Sequence, residues 1–167
     1  MKIMVCPTKE LLMSREMLNG RPGKNAAIIC SSYLIDELQF IWLDRKLILS
    51  FDDSVNEFSA ACFSEAQAAS AADFARALDE DTTLYVCCDS GESRSAAIAA
   101  ALRRRLGLDE MQIWQNPHYH PNTLVYKRMC AALEMTVTEG MIRERKHMND
   151  EALAKAIRAA RNGETGQ

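Results

Sequence analysis

The stretch VCCDSGESRSAAIAAAL, residues 86–102, decides the reading of this chain. An apolar run, Thr83 to Val86, leads into two adjacent cysteines, Cys87 and Cys88. A short polar loop with a single glycine, Gly91, follows, and Arg94 stands six positions after Cys88. An alanine-rich run begins at once and reads as a helix from Ser95 to Leu106, stopped by Gly107. The order is strand, loop, helix. In open α/β sheets ligands gather at the carboxyl ends of strands. A helix N-terminus adds free N–H groups and the positive end of a dipole, both suited to an anion. The loop from Cys88 to Arg94 is long enough to curl its N–H groups inward around a tetrahedral oxyanion. Gly91 supplies the φ freedom that such a curl demands. Arg94 adds a planar two-pronged donor. A thiol at the centre of that cradle is expected to titrate below the free value of about 8.5 and to serve as a nucleophile under a bound phosphate.

Working outward, strand-like and helix-like segments alternate. Lys2 to Val5, Ala26 to Cys30 and Lys46 to Phe51 read as strands, and Leu84 to Cys87 is a continuous apolar run fit for a sheet covered on both faces. Leu34, Ile35, Leu38, Ile41 and Trp42 fall on one face of a predicted helix. Ser64 and Gln67 form a predicted capping box, opening a helix whose inner face is Ala71, Phe74, Ala75 and Leu78. Another helix is predicted from Asn122 to Leu133. Asn149 reads as the cap of a last one, with Leu153, Ala156, Ile157 and Ala160 as its apolar face. The predicted class is α/β, a mostly parallel central sheet flanked by helices, with the loop between a central strand and a helix. Residues 1–162 are expected to form a single domain and 163–167 a flexible tail.

With 167 residues, 48% of them hydrophobic and 26% charged, the chain has the makings of a real core. A net charge of −3 gives no electrostatic footprint for nucleic acid or an acidic membrane. No apolar run approaches the roughly 20 residues that span a bilayer. The start, MKIMVCPTKELLM, lacks the features of a signal peptide, so a soluble cytoplasmic protein is expected. Cys6, Cys30, Cys62 and Cys130 lie in apolar runs and read as buried free thiols. There is no CxxC pair, and His118, His120 and His147 do not stand at finger spacing from cysteines, so no metal site is expected. NPHYHPNTLVYKRM, residues 116–129, reads as a proline-bounded turn into a helix that faces the core with Val125, Met129 and Ala132, and Trp114 reads as core or pocket wall.

The loop resembles the signature of the cysteine-based protein tyrosine phosphatases. Cys88, Gly91, Ser93, Arg94 and Ser95 match the fuller pattern CxxGxSRS of the dual-specificity branch. The resemblance extends over roughly Lys46 to Met135, and the PN-plus-helix pattern at Pro121 and Asn122 resembles bacterial and phage members. It implies that Cys88 attacks phosphorus to form a cysteinyl-phosphate. Asp89, Ser90, Gly91, Glu92, Ser93 and Arg94 then hold the phosphate, and Ser95 hydrogen-bonds the sulfur. It also implies an aspartate acid past an upstream strand. In LILSFDDSVNEF the second aspartate, Asp53, aligns better, with Asp52 as the substitute. The implied substrate is a phosphorylated protein or small phosphomonoester, with no cofactor. Two features depart from the pattern. Cys87 stands where the family usually has histidine, and Asp89 and Glu92 put negative charge beside an anion site. The lack of basic loop residues argues against an inositide headgroup. Two other classes stay open: a phosphate-binding pseudophosphatase weakened by the missing histidine, and a rhodanese-like or arsenate-reductase-like thiol enzyme.

Overall fold

The computed structural model describes residues 1–14, 25–43 and 45–164. Four strands, β1 (Lys2–Pro7), β2 (Asn25–Ser31), β3 (Arg45–Ser50) and β4 (Thr83–Cys88), form one sheet in the order β1-β4-β2-β3. Every pairing is parallel, with Cys6 opposite Cys87 on one side of β4 and Ile29 opposite Cys87 on the other. β4 is therefore interior. Its Leu84, Val86 and Cys88 face one side, Cys87 the other, and all four are buried. That is why the run is apolar at successive positions rather than at alternate ones.

The helices follow in chain order: α1 (Thr8–Met13), α2 (Glu65–Arg76), α3 (Arg94–Arg105), α4 (Met111–Trp114), α5 (Thr123–Ala132) and α6 (Glu139–Glu164). α3 lies on the sheet under α5, and every residue from Arg94 to Leu102 is buried. Its alanines let it approach the strands on one side and α5 on the other, so no polar face remains over that length. The predicted capping box of α2 is present: Gln67 N–H donates to Ser64 Oγ at 3.1 Å and Ser64 N–H to Gln67 Oε1 at 2.9 Å. The opposite face of the sheet is covered more thinly, by Leu11 of α1 and by Phe40 and Leu43.

Two sequence expectations are corrected. The predicted helix carrying Leu34, Ile35, Leu38, Ile41 and Trp42 is only a single 3-10 turn, Glu37–Phe40. Leu34 is 98% exposed, Leu38 and Ile41 are exposed as well, and Phe40 is the side chain that reaches the sheet. The 3.6-residue spacing is present, but with only a 3-10 turn formed the face is split: Ile35 and Trp42 pack against the patch around Phe40, while Leu34, Leu38 and Ile41 face solvent. Nor does Asn149 start a helix: it lies in the middle of the 26-residue α6. Its buried Nδ2 donates to the carbonyls of Tyr119 at 2.7 Å and Trp114 at 3.1 Å. A residue type that satisfies helix ends here satisfies carbonyls at the end of α4 from a neighbouring helix, which accounts for its helical position. Of the expected tail, Gly163 and Glu164 continue α6, and 165–167 lie outside the described residues.

α6 is fastened by a buried polar cluster. Arg145 Nη2 donates to Glu110 Oε1 at 2.5 Å, and Tyr126 Oη donates to Glu110 Oε2 at 2.6 Å. Burial, and then the bond to Glu110, raise the Tyr126 phenol. Trp114 is core, packed edge-on against Tyr126 at 5.2 Å. Among the described residues no helix is long and apolar enough to cross a membrane.

Candidate active site

The site lies at the carboxyl end of the sheet. From β1 the chain turns into α1 on the thin face, and from the neighbouring β4 it turns into α3 on the other, so a crevice opens between the two strand ends. The loop between β4 and α3 fills it. Gly91 is buried with φ +75°, and a Cβ there would stand 2.5 Å from Pro7 N and 2.7 Å from the Cys6 carbonyl carbon. Only glycine fits both the left-handed backbone and the contact with the end of β1.

Cys88 ends β4 and is 1% exposed; its Sγ lies 3.0 Å from Ser95 Oγ in the first turn of α3. Arg94 opens that helix and is 5% exposed. Its Nη1 donates to Ser32 Oγ at 3.0 Å and to the Phe51 carbonyl at 2.9 Å. Its Nη2 donates to Asp89 Oδ2 at 2.5 Å. The guanidinium carbon also lies 5.8 Å from the centre of the Phe51 ring. The Arg94 Nε, by contrast, is buried with no hydrogen-bond partner among the described residues. A buried donor without an acceptor costs about 1–3 kcal/mol.

Ser93 occupies the cap position of α3, yet its hydroxyl does not cap the helix. It donates instead to Asp53 Oδ1 at 2.8 Å, leaving the first N–H groups of α3 without a side-chain cap. Asn122 Nδ2 donates to the same Asp53 oxygen at 2.7 Å and to the Ser54 carbonyl at 3.2 Å. The other end of the Asn122 amide accepts from Leu124 N–H and Val125 N–H at 3.0 and 3.1 Å, capping α5. One amide thus joins the aspartate to a helix.

The structure therefore brings Cys88, Ser95, Arg94, Ser93 and Asp53 to one place. Asp52 is exposed and is held through its backbone, its N–H donating to the Ala61 carbonyl at 2.7 Å. Asp89 faces the guanidinium. Ser90 Oγ accepts from Glu92 N–H at 3.3 Å, and the Glu92 carbonyl accepts from His120 N–H at 2.9 Å. The turn at 116–122 thus supports the loop through its backbone. Beside Asp53 a cavity of about 270 Å³ opens, lined by Ser93, His120, Asn122 and Lys146 among others. Sequence reasoning missed Asn122 and Ser32 as members of the site. Asn122 was legible as a helix cap, but nothing in the chain pattern points to what its amide nitrogen meets 69 positions away.

Cys87 lies on the opposite face of the sheet, buried with Ala27, Ile29 and Phe40. Its Sγ is 3.3 Å from that of Cys6, and all six cysteines are free thiols. Five of them are buried, while Cys6 is half-buried.

No protein-family model matches the sequence, and no curated protein matches it. Among solved structures, the chain is similar in its overall course to a crystal structure of PTPMT1 in complex with PI(5)P. That similarity has 15% identity and a TM-score of 0.43, over 93% of this chain and 94% of that one.

Proposed function

We propose that this protein is a phosphatase of the cysteine-dependent tyrosine-phosphatase type, hydrolysing phosphomonoesters through a cysteinyl-phosphate. The observation that carries the reading is the loop itself. A buried thiol stands at the end of an interior parallel strand, a buried arginine has an unsatisfied Nε, and an aspartate from the segment after β3 is bonded to Ser93 of the loop and to Asn122. A phosphate dianion seated over Cys88 supplies the acceptor that Nε lacks, and the uncapped N–H groups of α3 face its remaining charge.

Cys88 Sγ attacks phosphorus in line with the leaving oxygen. The S–P bond forms as the P–O bond breaks, and Asp53 gives its proton to the departing oxygen. In the second step the same carboxylate takes a proton from water as the water attacks the cysteinyl-phosphate. Ser95 donates to the departing sulfur, and inorganic phosphate is released. Both bonds to Asp53 end on one carboxylate oxygen, Oδ1, which leaves Oδ2 to carry the proton. The substrates are phosphotyrosine and, for a cleft open enough to admit them, phosphoserine and phosphothreonine.

One observation favours a second reading, a module that binds phosphate without turnover. Asp89 holds Arg94 Nη2 and places a negative charge beside the anion. Hydrolysis of p-nitrophenyl phosphate in reductant, with and without vanadate, separates the two. Turnover that vanadate blocks, and that Cys88→Ser abolishes, supports the phosphatase. Vanadate binding without turnover supports the module, and neither binding nor turnover refutes both.

A further inference from the structure

We infer that Cys6 and Cys87 form a second, non-catalytic thiol site: a dithiol that peroxide oxidises to a disulfide, and whose closure disturbs the loop at Cys88. The inference about the pair stands on its own geometry, and its effect on phosphate binding rests on the reading of the loop given above.

The two residues are direct partners in neighbouring parallel strands, Cys6 of β1 opposite Cys87 of β4. Adjacent strands lie about 4.7–4.9 Å apart, inside the roughly 4.4–6.8 Å that disulfides span between Cα atoms. Both side chains point to the thin face, and the sulfurs stand 3.3 Å apart. Cys6 is half-buried where Cys30, Cys87 and Cys88 are buried, so it is the member of the group that a small oxidant reaches from solvent. The hydrogen bond from Cys87 lowers the Cys6 thiol, against burial and the nearby Glu10, while it raises Cys87. Cys6 is thus the attacking thiolate and Cys87 the resolving thiol. The other neighbours are ruled out by placement. Cys88 points to the opposite face from Cys87, and burial holds the Cys30 thiol protonated.

The chemistry balances with hydrogen peroxide as the named oxidant. Cys6 thiolate attacks one peroxide oxygen and breaks the O–O bond, giving a sulfenic acid and, with a proton, one water. Cys87 sulfur attacks the Cys6 sulfur, its thiol proton leaves with the expelled hydroxide as the second water, and the S–S bond forms. Two thiols lose two electrons, and peroxide gains them.

The coupling to the loop follows from contact. Closing a sulfur gap of 3.3 Å to the bond length of about 2.05 Å turns both side chains. Because the strand spacing is shorter than the roughly 5.5–6 Å that disulfides prefer between Cα atoms, the strain falls on the carboxyl ends of β1 and β4. Pro7, next in β1, pairs with Cys88, and the Cys6–Pro7 peptide is what Gly91 packs on. Any shift of that peptide is felt first at the apex of the loop, where there is no spare room.

The test uses the full chain carrying Cys88→Ser, so that the tryptic peptide 77–94 holds Cys87 as its only cysteine. After one equivalent of hydrogen peroxide, most of the Cys6 peptide, residues 3–9, is expected cross-linked to it and released by reductant. Amide hydrogen exchange across 88–94 is expected to speed up on oxidation, and not when Cys6→Ser is added. Affinity for inorganic phosphate is expected to fall by about 5- to 150-fold, the usual range of a coupling between sites. A Cys6 peptide that stays unlinked overturns the dithiol. So does a link, in the otherwise unaltered chain, that survives Cys87→Ser, since Cys88 is then the partner. A link that leaves exchange across 88–94 unchanged overturns the coupling. If the link forms but the reduced protein binds no phosphate, the functional reading fails while the dithiol stands.

Discussion

The two faces of the sheet part company at one dipeptide. Cys88 enters the thick face, where α2, α3 and α5 bury Ile28, Cys30, Leu84, Val86 and an unbroken run of α3 side chains. Cys87 enters the thin face, a patch of Leu11, Ala27, Ile29, Phe40 and Leu43 with half-buried Cys6 at its edge. Their backbones share a strand and their side chains share nothing. On the thick face the loop is held from several sides: Gly91 by β1, Arg94 by the residues that end β2 and β3, and Ser93 by Asp53. On the thin face the segment after β2 leaves Tyr33, Leu34, Leu38 and Ile41 in solvent. Close packing suits the proposed catalytic constellation, whose chemistry allows only a small tolerance in position. A thin cover gives access and freedom to move, which the proposed chemistry at Cys88 cannot use and the proposed thiol pair can.

The sharpest way to break this contrast is to exchange the two sulfurs for oxygen one at a time. Cys88→Ser removes the proposed nucleophile and is expected to lower turnover of p-nitrophenyl phosphate by roughly 10⁵-fold or more, as loss of a catalytic nucleophile does elsewhere. Vanadate binding, followed by calorimetry, is expected to survive. Residual turnover near the unaltered level would place the chemistry elsewhere.

Asp53→Asn keeps the side chain's shape and removes its proton. Hydrolysis of alkyl phosphates, whose leaving groups need protonation, is expected to slow by about 10²–10⁴-fold, and p-nitrophenyl phosphate by much less. Unchanged hydrolysis of alkyl phosphates in this variant would shift the role to Asp52.

Asn122→Ala tests whether the helix end at α5 positions that acid. It removes a donor from Asp53 and the cap of α5 together. A cap costs about 0.5–2 kcal/mol of stability, so Asn122→Asp, which retains capping and places a charge beside Asp53, is the companion. Both are expected to lower kcat on alkyl phosphates by roughly tenfold, about 1.4 kcal/mol of barrier. Only the alanine variant is expected to lower Tm appreciably. A loss in Tm with kcat untouched would make Asn122 a cap alone.

The smallest effect belongs to the thin face. Cys87→Ser is expected to leave turnover in reductant within about threefold, under 1 kcal/mol of barrier, because its side chain faces away from the loop. A larger loss would show that the position takes part in the chemistry.

Much of this protein was legible in its sequence. The alternation of apolar strand and helical segments, the apolar strand Leu84–Cys87, the capping box at Ser64 and the helix stop at Gly107 are local signals, and all are present in the fold. Two signals were real and misleading. The helical spacing from Leu34 to Trp42 forms only a 3-10 turn that brings Ile35 and Trp42 but not Leu34, Leu38 or Ile41 onto the sheet, and the cap-forming chemistry of Asn149 is used by another helix's carbonyls.

The sequence by itself determined the loop: a cysteine, a glycine, a serine and an arginine at fixed spacing between an apolar strand and an alanine-rich helix, with Asp53 or Asp52 upstream. Only the tertiary structure decided which aspartate meets the loop. Asp53 reaches Ser93 and Asn122, 40 and 69 positions away, through the ends of β3, α3 and α5 converging at the carboxyl end of the sheet. The same holds for the doubled cysteine. Strand geometry sends the two side chains to opposite faces whatever surrounds them. That Cys87 meets a second thiol follows from β1 pairing alongside β4 in register, 81 positions distant in the chain. Local pattern reflects the chain's own backbone preferences and burial, whereas partners across a sheet are set by which strand packs beside which, and no local pattern encodes that.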